Sequence, residues 1–451
     1  MSTAGIWGKF LTDTKVGDLP PLALERARMV IASTIASAAM GADIVSSNII
    51  RELAKERAGT PDASIWFDAG PKLPVADAAR VNAVMSDSAA SDDSDLRNIS
   101  HIGTIVSTTA IAMAERTGAN GRDVLGAMVL GYEIAGRVDE ALTPGRGTRG
   151  FHSSIATIFG SAVASGTILK LTPAQMTQAI AIAATSIGGL AIAANTSVAR
   201  EYHAGLSAML GINAAMAARK GLVAEENVLE APHGYFAAYG GEHLEDFTKD
   251  LGKDWDITTE MAIKLVPGAH PAHAAAEAAA NAALAGNVNP DEVVEIMVSA
   301  AKYKKLPGEK HPTDLIGVAH SLTYFLAAAV ADRGYGWIHA TPEKVADPVI
   351  ARLIDTVTLD PNPQPYPDRF PHHHGATVTI TLKDGRKFSS HVDFPRGSGP
   401  RGIDWADVDA KYRKLVPLSK LAPKAIEDSL KVVHDFEAVK NMSELTSLLR
   451  R

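Results

Sequence analysis

Cysteine is absent from all 451 residues, which excludes disulfides, thiolate metal sites and a cysteine nucleophile. A reducing, cytoplasmic setting is the localisation this favours. No run of Lys or Arg is long enough to form a nucleic-acid surface, and the formal charge is −7, so nucleic acid is not an expected partner. The N-terminus, MSTAGIWGKF, lacks the basic-then-apolar order of a secretory signal. Charge is also missing between Ala179 and Ala199, a stretch long enough to span a bilayer. Its Ala, Ser, Thr and Gly, with Gly188-Gly189 in the middle, insert poorly. A buried helix inside a bundle is expected there, and no membrane partner. What remains is a globular chain with 46% hydrophobic residues, enough for two or three domains with a large core.

Helical periodicity dominates what is there. From Leu22 to Met40 apolar residues recur at helical spacing and stop at Gly41, which predicts a helix. Similar patterns predict helices at Ser46 to Arg57, Ala76 to Ala89, Ile102 to Thr117, Gly121 to Ala141, Ser153 to Leu169, Pro173 to Ala184 and Gly205 to Arg219. Thr172 before Pro173 reads as an N-cap followed by proline in the first turn. The character changes near Pro267. A helix from Ala272 to Leu284 leads into a β-branched run, Val293 to Ala301, that reads as a strand. Helices at Thr313 to Asp332 and Pro342 to Ile354 follow. Then ATVTITL (Ala376 to Leu382) and FSSHVDF (Phe388 to Phe394) flank Asp384-Gly385, a hairpin signal because Gly accepts the positive φ of a tight turn. The expected fold is mainly α: a large all-helical domain from residues 1–264 together with 399–451, and a smaller α+β lid domain over 265–398.

The densest polar stretch is SDDSDLRNISHIGT, from Ser91 to Thr104. It sets three carboxylates, an arginine and His101 between two apolar segments, and reads either as a solvated connection or as an active-site loop in which His101 trades a proton near neutral pH. Two more polar islands sit in apolar surroundings. One places Arg200 beside His203; the other places Lys264 before His270 and His273. Each reads alone as a satisfied helix terminus. Together they suit a substrate with several carboxylates, because cations anchor those groups while a neutral histidine removes a proton next to one. Gly145-Arg-Gly-Thr-Arg-Gly150 has no preceding strand and no closing lysine, so it is not a phosphate loop. His372-His373-His374 lacks an acid cluster, and Asp92, Asp93 and Asp95 lack the glycine-centred loop of a calcium site. No metal is expected.

Taken in order, His101, Arg200, Lys264, Gly131-Tyr132-Glu133 with Arg137, Gly150-Phe151-His152, Ser321-Leu-Thr-Tyr324, Lys383-Asp-Gly-Arg386 and Pro395-Arg-Gly397 resemble the MmgE/PrpD family over nearly the whole chain. That family includes 2-methylcitrate dehydratase, cis-aconitate decarboxylase and iminodisuccinate epimerase. The resemblance implies a homodimer with no metal or organic cofactor, acting on a small carboxylic acid. It places His101, Lys264, Tyr324, Tyr132 and His152 on family motif positions. With the polar islands added, the catalytic candidates are His101, Lys264, Tyr324, Tyr132 and His270, and the substrate-binding candidates are Asp93, Ser94, His152, Arg200, His203 and His273. The family's Asp-Phe-Asp-Asp-Thr loop reads here Ala90-Ser91-Asp92-Asp93-Ser94, its helical lysine is Arg200, and its decarboxylase histidine falls on Ala269. The reaction expected first is a 2-methylcitrate dehydratase-like elimination that starts with proton abstraction beside a carboxylate. Epimerisation and decarboxylation stay open, and outside enzymes the alternative is a non-catalytic binding protein that kept the fold.

Overall fold

A computed structural model describes residues 1–57, 59–186, 188–365, 369–370 and 375–451. The triple histidine, His372 to His374, lies outside the described residues. The chain divides into two units, Met1–Ile263 with Asp404–Arg451, and Lys264–Ile403.

The first unit is built on helices α1 (Thr3–Asp13), α2 (Pro21–Gly41), α3 (Val45–Lys55), α4 (Val75–Ser88), α5 (Ile102–Thr117), α6 (Gly121–Leu142), α7 (Ser154–Ile168), α8 (Pro173–Ala184) and α9 (Ala199–Arg219). Small side chains set how closely they pack. A Cβ on Gly41 of α2 would lie 1.9 Å from the Met85 carbonyl of α4, and one on Gly131 of α6 would lie 2.6 Å from the Gly160 carbonyl of α7. Either substitution would push two helices apart. Thr172 accepts from the Gln175 N–H at the start of α8, with Pro173 in its first turn, as the sequence predicts.

The uncharged stretch departs from expectation. The helix ends at Ala184, and after a break a short one spans Ala191–Thr196. Leu190 and Ile192 are 54% and 68% exposed. Gly188-Gly189 thus acts as an interruption and not as the middle of a buried helix, because glycine forfeits helix propensity. Among the described residues no single helix is long and apolar enough to cross a membrane. The pair α2 and α3 passes on length and composition together, but it bends by 96°, and α2 is buried along most of its length.

The acidic stretch is also more ordered than a loop. Strand β1 (Asp93–Asp95) pairs antiparallel with β2 (Met261–Ile263), Asp93 opposite Ile263 and Asp95 opposite Met261. Positive φ at Ala90 (49°) and Ile99 (55°) brackets it, two left-handed turns at non-glycine residues of the kind that collect at functional sites.

In the second unit the longer helices are α10 (His273–Ala285), α11 (Leu315–His320), α12 (Leu322–Ala331) and α13 (Pro348–Ile354), the last preceded by a single turn at Pro342–Val345. They accompany a sheet of β3 (Val293–Ser299), β4 (Val357–Leu359), β5 (Ala376–Leu382) and β6 (Lys387–Val392), ordered β4-β3-β5-β6. The hairpin forms as predicted, with Gly385 at φ 87°, and β5 alternates buried and half-buried positions along its length. Ile296, Val298, Val378 and Ile380 pack with Phe325 and Leu326 in its core. Two predicted helices are each divided. Ser321 separates α11 from α12, its hydroxyl accepting from the Tyr324 N–H at 3.2 Å. Pro348 restarts the other, because proline cannot continue a helix but fits a first turn.

After the second unit the chain returns to the first with α14 (Trp405–Leu415) and α15 (Pro423–His434). Arg28 of α2 donates to the His434 carbonyl at 2.7 Å.

Candidate active site

Asp93 fixes the foot of α5. Its carboxylate accepts from the Gly103 and Thr104 N–H groups at 2.8 and 3.0 Å, satisfying donors that a helix start leaves open. Gly103 admits it closely, since a Cβ there would lie 2.5 Å from Asp93 Oδ2. Asp93 is therefore occupied as a helix cap. Ser94 is buried beside it, its hydroxyl without a hydrogen-bond partner among the described residues.

This geometry holds His101 one residue before α5. Its Nδ1 lies 2.9 Å from the Asp93 carbonyl oxygen and 2.9 Å from Asp92 Oδ2, with Asp87 Oδ1 at 3.9 Å. A main-chain carbonyl only accepts, so the Nδ1–H tautomer follows from these partners and the ring's lone pair sits on Nε2. Asp92 is fixed in turn by the Thr104 hydroxyl at 3.1 Å, which exchanges a hydrogen bond with Ser86 at 2.8 Å. An imidazole oriented by a carboxylate that is itself held in place is the arrangement of a general acid–base.

Arg200, on α9, donates to Asp87 Oδ2 at 3.0 Å and to the Asp87 carbonyl at 2.7 Å. Burial disfavours its charge, but Asp87, Glu201 and Asp92 outweigh that and raise its pKa, so it stays a cation. His152 and His203 face each other with ring centroids 5.5 Å apart and ring planes inclined by 42°. Burial, then Arg146 and His101, hold His152 well below the usual imidazole range, and burial lowers His203 as well. Both rings are neutral at pH 7 on this account. Tyr132, fully buried on α6, has no hydrogen-bond partner for its hydroxyl among the described residues. Burial and Asp93 raise its pKa well above that of a free phenol, so it is a proton donor and not a phenolate.

The remaining candidates lie in the second unit. Lys264 is buried and directly follows β2 in the chain. The His270 and His273 rings lie with centroids 4.6 Å apart and planes inclined by 58°. His273 Nε2 is 3.2 Å from the Gly268 carbonyl, and Tyr303 donates to the Pro271 carbonyl between them at 2.6 Å. Tyr324, in the first turn of α12, donates its hydroxyl to the His339 carbonyl at 2.8 Å.

Asp87, Asp92 and His101 offer ligand atoms within 4.8 Å of one another. The donor set suits a proton-transfer pair better than a cation, because Arg200 already neutralises Asp87 and His101 turns its N–H, not its lone pair, toward the acids. Asp87 was not among the residues that sequence singled out. It sits in the last turn of α4 within an Ala-rich run, and the signal for it is an acid on a helix face that is otherwise small and apolar.

Burial, and then the like charge of Asp92, push Asp93 up to about 6, against the opposing pull of His101 and the two helix N–H groups. A carboxyl that holds its proton more tightly when folded stabilises the fold below its unfolded pKa. That contribution fades as pH rises through about 6. Asp93→Asn abolishes this titration. Relative to the parent, the variant is expected to gain about 1–3 kcal/mol of stability between pH 4 and pH 7.5. Thermal melts of both proteins across that range check it, and a difference independent of pH would show that Asp93 does not titrate there.

Residues 7–247 match the MmgE/PrpD N-terminal domain and residues 267–433 the MmgE/PrpD C-terminal domain. Cis-aconitate decarboxylase of Homo sapiens is 25% identical over 449 residues, 97% of this chain and 92% of that protein. The Mus musculus cis-aconitate decarboxylase is 25% identical over 454 residues, 97% and 91% of the two chains. A cis-aconitate decarboxylase-like protein of Aspergillus oryzae is 25% identical over 477 residues, 98% and 95%. With both of the family's domains matched in order along one chain, this protein belongs to the MmgE/PrpD family.

Proposed function

We propose that the protein is a lyase acting on a small di- or tricarboxylic acid, with His101 moving a proton at a carbon beside a carboxylate. The observation that carries this is the His101–Asp92 pair next to Arg200. A carbanion beside a carboxylate is stabilised by fixed cations. Arg200 supplies one such charge, and Lys264 is proposed as another. Tyr132, Tyr324 and His270 are proposed as further proton donors or acceptors, and Asp93, Ser94, His152, His203 and His273 as the polar surroundings of the substrate.

Three reactions fit a proton-transfer group in this setting. In dehydration, His101 takes the α-proton and hydroxide leaves the neighbouring carbon. In decarboxylation, the electron pair of the broken C–CO2 bond crosses the adjacent double bond, and the far carbon takes a proton from protonated His101. The cis-aconitate decarboxylases among the relatives favour decarboxylation. Epimerisation would return the proton to the opposite face.

Proton NMR in deuterium oxide, with citrate-, 2-methylcitrate-, aconitate-, malate- and aspartate-type acids, separates these outcomes. Loss of carbon dioxide with one deuterium retained marks decarboxylation, loss of water marks dehydration, and exchange without net change marks epimerisation. No exchange into any acid would count against the whole reading. Activity is expected to survive prolonged EDTA treatment, since the proposed chemistry needs no metal; inactivation reversed by a divalent ion would overturn that part. A homodimer is proposed too, to be checked by light scattering of the purified chain.

A further inference from the structure

We infer that Lys411, contributed by the C-terminal segment, is a positioning residue for the proton-transfer pair; this rests on the reading of His101 and Asp92 given above. Lys411 is 2% exposed. On α14 it shares the buried face with Val408, Tyr412 and Leu415, where an ammonium is costly unless fully hydrogen-bonded. Its Nζ donates to the Ser33 hydroxyl on α2 at 2.8 Å, to the Ser91 carbonyl, and at 3.5 Å to the Asp92 carbonyl. The ammonium therefore grips the main chain at the two residues preceding β1.

That stretch of main chain belongs to the connection between α4 and β1. The turn before it is left-handed at Ala90, a conformation that a residue with a Cβ holds only when its surroundings impose it. Ser37 of α2 contributes a hydrogen bond to the Ser91 hydroxyl at 2.7 Å, and β1 begins only at Asp93. Between these anchors Asp92 must turn its carboxylate to His101 Nδ1 at 2.9 Å. Lys411 holds the peptide units on both sides of the Asp92 Cα hinge, so it sets the direction of that side chain without touching the reacting atoms. A shift of about 1 Å in such a pair can cost on the order of 100-fold in rate.

Lys411→Met keeps the length and apolar stem and removes the ammonium. The expected result is a 10- to 100-fold fall in kcat with KM changed less than about threefold. Lys411→Arg, which keeps a cation with several donors, is expected to recover part of the loss. A second readout needs no substrate. The Nδ1–H proton of His101, hydrogen-bonded to a carboxylate, gives a far-downfield NMR signal that is assigned by its absence from His101→Gln. In Lys411→Met this signal is expected to move upfield and broaden through exchange with water. A folded Lys411→Met with the His101 signal unmoved overturns the proposal. If Lys411→Met does not fold, Lys411→Gln takes its place; if neither folds, Lys411 is a structural strut and the proposal fails. A chain inactive on every acid, yet showing the loss of the His101 signal, would sink the proposed reaction and leave the role of Lys411 standing.

Discussion

His101→Gln is expected to lower kcat by about 10²- to 10⁴-fold, the range by which a positioned acid–base group accelerates proton transfer. Glutamine keeps a neutral polar side chain whose amide nitrogen extends to about the reach of Nε2, so the hydrogen bond from Nδ1 to the Asp93 carbonyl at 2.9 Å is lost together with the ring. The basic nitrogen goes with them. Asp92→Asn should do less, about 10- to 100-fold, the usual effect of removing a group that orients the acting one. The difference has a structural reason. The Asp93 carbonyl by itself keeps the proton on Nδ1, so the Asn variant retains the right tautomer and loses only the negative charge that stabilises the imidazolium. The two effects should also not add. Once His101 is gone, Asp92 has no ring to orient, and the double variant should resemble His101→Gln alone. The check is kcat for the three variants on whichever acid the deuterium experiment identifies. A His101→Gln protein that keeps a tenth of the parent rate would remove His101 from the chemistry.

Which parts of this molecule could be read from residues alone follows from the range of the interactions that make them. The helix Ile102–Thr117 and the helix Pro173–Ala184 are set by signals within a dozen residues, namely apolar spacing, a cap and a following glycine or preceding proline. Both were legible to the residue. The strand Asp93–Asp95 was not. Its residues are two aspartates and a serine, poor strand formers, and it exists because Met261–Ile263, far along the chain, pairs with it. The polar islands around His101 and Arg200 could be found because charge stands out against an Ala-rich background. The bond between Arg200 and Asp87 could not, since nothing in either helix names its partner. Lys411 carries a local signal, as it falls at the helical spacing of Val408, Tyr412 and Leu415, an apolar stripe in which a lysine is out of place. The unread features share one property, that an ionisable side chain sits inside because a distant segment satisfies it.

Arg97→Leu is expected to destabilise the first unit by about 3–5 kcal/mol, the cost of leaving buried charges without their counter-ion. One guanidinium, 15% exposed, serves three carboxylates: Glu140 of α6, Asp256 at 2.7 Å and Glu260 at 3.6 Å. The main-chain N–H of Arg97 donates to Asp95 Oδ1 at 3.0 Å. Asp256 is tied further to Glu133, whose Oε2 accepts its N–H at 3.0 Å while Arg137 pairs with Oε1 at 2.6 Å. Burial, then Asp256, already raises Asp95 well above the usual carboxylate range against the pull of Arg97. Burial raises Glu140 while Arg97 restrains it. Removing Arg97 lets Asp95 and Glu140 rise further. Acids with raised folded-state pKa values stabilise a fold at low pH and lose that contribution as pH rises, so the gap between variant and parent should widen from pH 5 to pH 8. For a unit of this size the loss at pH 7 corresponds to a fall in Tm of roughly 5–10 °C. Adding Asp256→Asn to Arg97→Leu should recover part of it, because one of the stranded charges is then gone. Differential scanning calorimetry of the single and double variants at pH 5 and pH 8 reads all three expectations. A single variant within 1 kcal/mol of the parent at both pH values would show that water, and not Arg97, balances these acids.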